Sequence, residues 1–197
     1  METTITVPMV NKQMVKLAGE HWTCSAMAQH QWAVALTRDG LERADILAVH
    51  STAGTMVEVQ VKATSARPVG NWLLGLKAQQ PARTKHEWFV LIVLGADPTD
   101  VPRAYVVPRD HVAAAAWISH QDWLTEPDVK PGTRNTGLDR ARVKETVFEA
   151  YRNRWDLMEH PTPNAPVLLP TTFRDLAEGP RVGLPSGHPW ATAFPSW

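Results

Sequence analysis

Apolar and polar positions divide the chain into an opening helix, a run of strands and a helical second half. From Val10 to Leu36 the apolar residues Met14, Leu17, Ala18, Trp22, Ala26 and Ala33 recur at helical spacing and form one stripe. The segment reads as largely helical, with Trp32 to Thr37 open to a second reading as a first strand. Asp39-Gly40 marks a turn within Arg38 to Arg43. Ala44 to His50 is short, apolar and bounded by polar residues. Thr55 to Ala63 alternates strictly, with Val57, Val59 and Val61 on one face and Glu58, Gln60 and Lys62 on the other. A turn through Ser51 to Gly54 joins these two segments, which predicts a hairpin.

Ser65 to Asn71 reads as a loop, followed by a short segment around Trp72 to Lys77. Glu87 to Leu94 is a continuous apolar, β-like run, and Arg103 to Val107 is a further strand. Pro108 stands where a helix can begin, and Asp110 to Ile118 with its alanines reads as that helix. Lys130 to Gly137 is a polar loop, and Leu138 to Trp155 is predicted helical in its middle. Eight of the 16 prolines fall in the last 38 residues, so little regular structure is expected there. That tail still carries Phe173, Trp190, Phe194 and Trp197, which suits docking on the domain or on a partner subunit. The order of elements predicts an α/β fold, an α/β/α sandwich with a central mixed sheet of about five strands flanked by helices. The expected division is a domain over 1–158 and a Pro-rich tail over 159–197.

Length and composition agree with a single domain: 197 residues, 44% hydrophobic and 20% charged. Cys24 is the single cysteine, so no internal disulfide can form, which suits a cytoplasmic location. Met1 to Val10 has no basic cluster followed by an apolar run, so no secretory signal is expected. The longest apolar stretch, Trp88 to Gly95, is too short to span a bilayer. The 20 basic and 20 acidic residues cancel, which argues against nonspecific coating of nucleic acid but not against one basic groove. No Walker-type or Gly-x-Gly-x-x-Gly loop is present, so no nucleotide cofactor is expected. Nor is there a Gly-x-Ser-x-Gly elbow.

The chemistry-bearing stretch is Ala44-Asp45-Ile46-Leu47 followed by Glu58-Val59-Gln60-Val61-Lys62. Asp45 opens one strand of the hairpin, and Gln60 and Lys62 share a face of the next. A Glu-x-Gln-x-Lys face taken alone is the solvated side of a half-buried sheet. With a carboxylate one hairpin earlier, it also matches what phosphodiester hydrolysis needs: oxygen donors for a hard cation beside an ammonium that orients water.

These residues resemble the PD-(D/E)XK nuclease superfamily, whose core is a helix, a hairpin bearing the Asp, and then (D/E)-x-K. Asp45 matches the Asp, and Gln60-Val61-Lys62 matches the second half with Gln in place of the acid. Gly19-Glu20-His21 in the first helix looks like the further Glu that many members supply to the metal. Trp72-Leu73-Leu74, Trp88-Phe89-Val90, Tyr105-Val106-Val107-Pro108 and Asn153-Arg154-Trp155-Asp156-Leu157 are similar to small stand-alone bacterial members. The resemblance covers roughly residues 15 to 158. It implies a Mg²⁺-dependent DNA endonuclease, with Mn²⁺ as a substitute metal. Asp45 and Glu20 would be metal ligands, Gln60 a neutral ligand, and Lys62 the group that positions the nucleophile. Cutting double-stranded DNA would need two such sites, so a homodimer or higher homo-oligomer is expected from symmetry. The alternative is a catalytically inactive member that binds DNA or protein.

Basic residues follow these strands. Arg67, Lys77, Arg83 and Lys85 are candidates for DNA contact. Lys130 to Trp155 holds seven basic residues against three acidic ones, among them Arg134, Arg140 and Arg142, and these are either phosphate contacts or a solvated face. The eight histidines show no metal-ligand spacing, and the nine tryptophans read most simply as core and docking residues, with Trp72 a candidate nucleobase platform.

Overall fold

The structure, a computed structural model, describes residues 11–37, 41–65, 70–130 and 132–197. Helix α1 spans Lys12–Gln29, capped by Asn11, whose side chain accepts the Gln13 N–H. Its apolar stripe ends there. Gln31 takes a positive φ of 67° and turns the chain into β1 (Trp32–Leu36). The β-branched and apolar run after that turn is a strand, which ends the helix before Leu36. The Asp39-Gly40 turn lies outside the described residues.

Strands β2 (Ile46–His50) and β3 (Met56–Ser65) form an antiparallel hairpin, with Ile46 opposite Val59 and Ala48 opposite Val57. Gly54, at φ 66°, supplies the left-handed turn position between them. The chain then passes through the short strand β4 (Asn71–Leu73) and returns as β5 (Glu87–Leu94), parallel to β3. β6 (Arg103–Pro108) pairs antiparallel with β5, completing a five-stranded mixed sheet in the order β1-β2-β3-β5-β6. β5 lies inside the sheet between β3 and β6 and is buried on both faces, which explains its unbroken apolar run.

Alternation along β3 separates the layers. Val61 and Ala63 face α1, and Gly19 lets the helix approach so closely that a Cβ there would stand 2.5 Å from the Ala63 Cβ. Gln60, on the opposite face, meets the start of α2 (Arg109–Leu124). α2 is longer than its alanine run implies. Ala113 to Ala116 are wholly buried and leave it without a polar face, so it needs cover on both sides.

The C-terminal segment provides that outer cover. Trp117 Nε1 donates to the Val182 carbonyl, and His188 Nε2 donates to the Asp110 carbonyl. Trp190 packs against His111, His188 and Trp197. Against the expectation of little regular structure, this segment contains α3 (Thr171–Glu178) and short 3-10 turns. Its prolines precede or open several of these elements rather than excluding them.

The middle of Leu138 to Trp155 is helical as expected, though as a 3-10 helix (Glu145–Tyr151) rather than an α-helix. Before it the segment also holds a strand that was not expected, β7 (Arg142–Lys144), paired antiparallel with β4. Alternation in Arg142-Val143-Lys144 decides the outcome, since Val143 is buried and its neighbours are exposed. Glu145 fastens this small sheet to the large one by accepting from the Gly70 N–H, the Arg103 guanidinium and the Tyr105 hydroxyl. Its hydrogen bonds with Arg103 outweigh burial and hold its carboxyl down at about 2. No helix among the described residues is long and apolar enough to cross a membrane.

Candidate functional site

Asp45 lies just before β2, where the β2–β3 ladder opens. Its N–H still donates to the Val59 carbonyl at 2.9 Å, while its own carbonyl accepts from Thr37 on the β1 side at 2.9 Å. The Val61 N–H is instead taken by the Asp45 side chain, with Oδ2 at 2.8 Å. The carboxylate thus replaces a ladder acceptor, and its position is set by the backbone of the strand that carries Gln60 and Lys62.

Continuing the register from Ile46 and Val59 puts Asp45 opposite Gln60, on the face that also bears Lys62. The Lys62 ammonium is half-buried. Burial pushes its pKa down, and Asp45 supplies the largest opposing attraction, with Glu20 a weaker one. Lys16 and Arg109 act on it in the same direction as burial. Glu20, on α1, is 8% exposed. Its Oε1 is buried without a hydrogen-bond partner and lies 3.4 Å from the Lys16 ammonium, a charge contact that leaves the oxygen's hydrogen-bonding capacity unused.

Gln60 belongs to a second, more deeply buried network. Its Oε1 accepts from Arg109 Nη2 at 3.1 Å. Arg109 lies over the Phe89 ring at 4.7 Å, and its Nη2 also donates to the Arg43 carbonyl. Its Nε is 2.7 Å from Glu87 Oε2. Burial lowers the guanidinium pKa to about 10, with Arg43 adding to the shift and Glu87 opposing it. Burial alone would raise the Glu87 carboxyl. Arg43 and the N–H groups of Arg83 and Thr84 outweigh that effect and hold it below the usual carboxylate range.

Arg109, Glu87 and Arg43 were not legible as site residues. The one signal was an arginine in the first turn of a helix, where the macrodipole disfavours a cation. Glu58, on the same strand face, receives the Thr84 hydroxyl at 3.4 Å.

Asp45 and Glu20 therefore both act on Lys62, Gln60 is held apart in the Arg109 network, and the basic candidates are dispersed. Lys77 pairs with Glu42 at 2.7 Å, and Lys85 is exposed. Arg134 covers the Trp123 ring and pairs with Glu126. Arg140 and Arg142 line a cavity near the far end of α2. Arg67 lies outside the described residues. Trp72 is 2% exposed, with its Nε1 donating to the Ile92 carbonyl and its ring against Tyr105 and Phe148, so it is a core residue and not a stacking platform.

A hard divalent cation fits the donor types. Glu20 Oε1 is a buried oxygen with no hydrogen bond and only the Lys16 charge contact, and Asp45 commits only Oδ2 to the backbone. Two carboxylates completed by substrate phosphate suit Mg²⁺. Among the described residues no group of three His, Cys, Asp or Glu side chains converges. Gln60, engaged by a guanidinium, is the weakest donor of the set. Comparisons with protein-family models, curated proteins and solved structures find no match to this chain.

Proposed function

We propose that the chain is a metal-dependent endonuclease of the PD-(D/E)XK type, hydrolysing phosphodiester bonds in double-stranded DNA. The observation that carries this reading is the Asp45 carboxylate, fixed by the Val61 N–H at 2.8 Å, acting as the main counter-charge to the half-buried Lys62. Asp45 and Glu20 would hold the metal, with Gln60 available through its remaining lone pair. When bound, Mg²⁺ or Mn²⁺ would polarise the scissile phosphate and acidify a water. Lys62 would orient the attacking water and offset negative charge developing on the phosphate. Arg109 would keep Gln60 from turning away, which makes it a positioning residue. Cutting both strands calls for two such sites, hence a homodimer or higher homo-oligomer.

The Gln60–Arg109 hydrogen bond favours a second reading, a catalytically idle module of the same fold that binds DNA or a protein. A guanidinium beside the amide stands near where a metal would sit and repels it. Titrating Mn²⁺ into the protein with a short phosphorothioate duplex separates the two. A metal signal that Asp45→Ala abolishes supports hydrolysis, and no signal in either protein supports the idle module.

A further inference from the structure

A concave site lies at the end of α2 remote from Arg109. A cavity of about 670 Å³ opens between the C-terminal half of α2, β7 with the turn before it, and α3, lined by His120, Trp123, Arg140, Arg142, Lys144 and Phe173 among others. That volume falls within the range of small-molecule sites, roughly 300–1,000 Å³. Arg109 opens α2 beside the candidate active site, and Ser119 to Trp123 follow ten or more residues later. At a rise of about 1.5 Å per residue the two sites stand roughly 15–20 Å apart along the helix.

The cavity carries uncompensated positive charge. Arg142 and Lys144 flank the buried Val143, so alternation turns both side chains outward on one face of β7. Arg140 leans on Asp139 at 3.5 Å, and Asp122 on the cavity wall is taken by Arg181. Arg142 has only the Asn71 amide oxygen, at 2.9 Å. Among the described residues, neither Arg142 nor Lys144 forms an ion pair. In a chain whose formal charge is zero, two cations without an ion pair leave this wall positively charged.

The other walls specify more than an anion. Trp123 is 41% exposed although it is large and apolar. The Arg134 guanidinium lies 5.0 Å over its ring and braces it. Phe173 adds a second aromatic ring to the lining. Flat apolar surface beside a fork-shaped guanidinium and an ammonium matches a flat aromatic body that carries a phosphate.

We infer that this cavity binds a phosphorylated nucleoside, with the base against Trp123 and Phe173 and the phosphate on Arg142 and Lys144. No glycine-rich loop is involved: side chains, not backbone N–H groups, meet the phosphate. The ligand is either a free mononucleotide or an unpaired nucleotide of a strand. The site uses neither Asp45 nor Lys62, so it stands whether or not the chain hydrolyses DNA.

Calorimetry with the full chain in EDTA tests this, titrating dAMP, deoxyadenosine, inorganic phosphate, a 5′-phosphorylated single strand and a blunt duplex. The expected result is saturable binding of dAMP, at least tenfold tighter than deoxyadenosine or phosphate. The affinity should fall at least tenfold in the Arg142→Ala/Lys144→Ala double variant and in Trp123→Ala, and stay unchanged in Asp45→Ala. All three sites carry exposed side chains, and circular dichroism checks that each variant folds. Tighter binding of the single strand than of dAMP assigns the site to a strand end, and equal binding assigns it to the free nucleotide. The inference is overturned if neither binds at millimolar concentration, if inorganic phosphate binds as well as dAMP, or if the folded variants bind like wild type.

Discussion

Arg109 and Glu87 form a pair shut away from solvent, with Nε 2.7 Å from Oε2 and side chains 1% and 3% exposed. Glu87 opens the strand parallel to β3, Arg109 opens α2, and Gln60 hangs from the same guanidinium at 3.1 Å. The polar face of β3 is thereby tied to the core rather than left to water.

The pair is asymmetric. Without Arg109, Glu87 keeps Arg43 and two backbone N–H donors. Without the Glu87 charge, two guanidiniums face each other with no carboxylate between them. Glu87→Gln is therefore expected to cost about 3–5 kcal/mol, the usual penalty for breaking a buried pair, and Arg109→Met clearly less. Urea unfolding of both variants measures this. An equal loss, or a larger one for Arg109→Met, contradicts the arrangement.

Gly19 sets the distance between α1 and the sheet. A Cβ there would stand 2.5 Å from the Ala63 Cβ. Gly19→Ala should destabilise by about 1–3 kcal/mol through overpacking, even though alanine is the better helix former by about 1 kcal/mol. Ala63→Gly in the same chain should restore most of the loss. Thermal melts of the single and double variants show whether it does. Because Glu20 adjoins Gly19, the single variant should also displace that carboxylate.

His111 is buried and neutral. Tyr151 accepts the Leu168 N–H, and its hydroxyl shares a 2.7 Å hydrogen bond with His111 Nδ1. Burial, with a smaller push from His188, lowers the His111 pKa from 6.5 to about 3. His188, which donates Nε2–H to Asp110 and accepts at Nδ1 from Trp190, is lowered as well by burial. Below about pH 6.5 the unfolded chain takes up protons that the folded chain refuses. Stability is therefore complete above that pH and falls as pH drops toward 3, by up to about 1.4 kcal/mol per pH unit for His111, and His188 adds to the loss in the same direction. Denaturation midpoints at pH 7.5, 6, 5 and 4 should decline along that slope and flatten partly in His111→Gln. A pH-independent midpoint across this window would show that the imidazole is not held neutral.

The hairpin was legible because period-two alternation in Thr55 to Ala63 allows one reading. It carried Asp45, Gln60 and Lys62 to one face without any tertiary information. Arg109 was not legible, because its role exists only once α2, β5 and the turn before β2 are folded together. β7 was hidden in a charged stretch where the single buried Val143 is too short a signal for a strand. The C-terminal cover was half visible: its aromatics announced docking, while its prolines masked α3. The reason for the docking lies in another element, α2, whose buried alanine run shows that it is covered but not what covers it.

Incubating supercoiled plasmid with the full chain in Mg²⁺ or Mn²⁺, beside Asp45→Ala and Lys62→Ala made identically, tests the hydrolysis reading most directly. Wild type is expected to nick or linearise the plasmid, EDTA to stop it, and each variant to lose at least about a hundredfold in rate, the scale of a lost acid–base or electrostatic group. Cleavage that persists in folded Asp45→Ala and Lys62→Ala, or no cleavage by wild type of plasmids and genomic DNA alike, would contradict it.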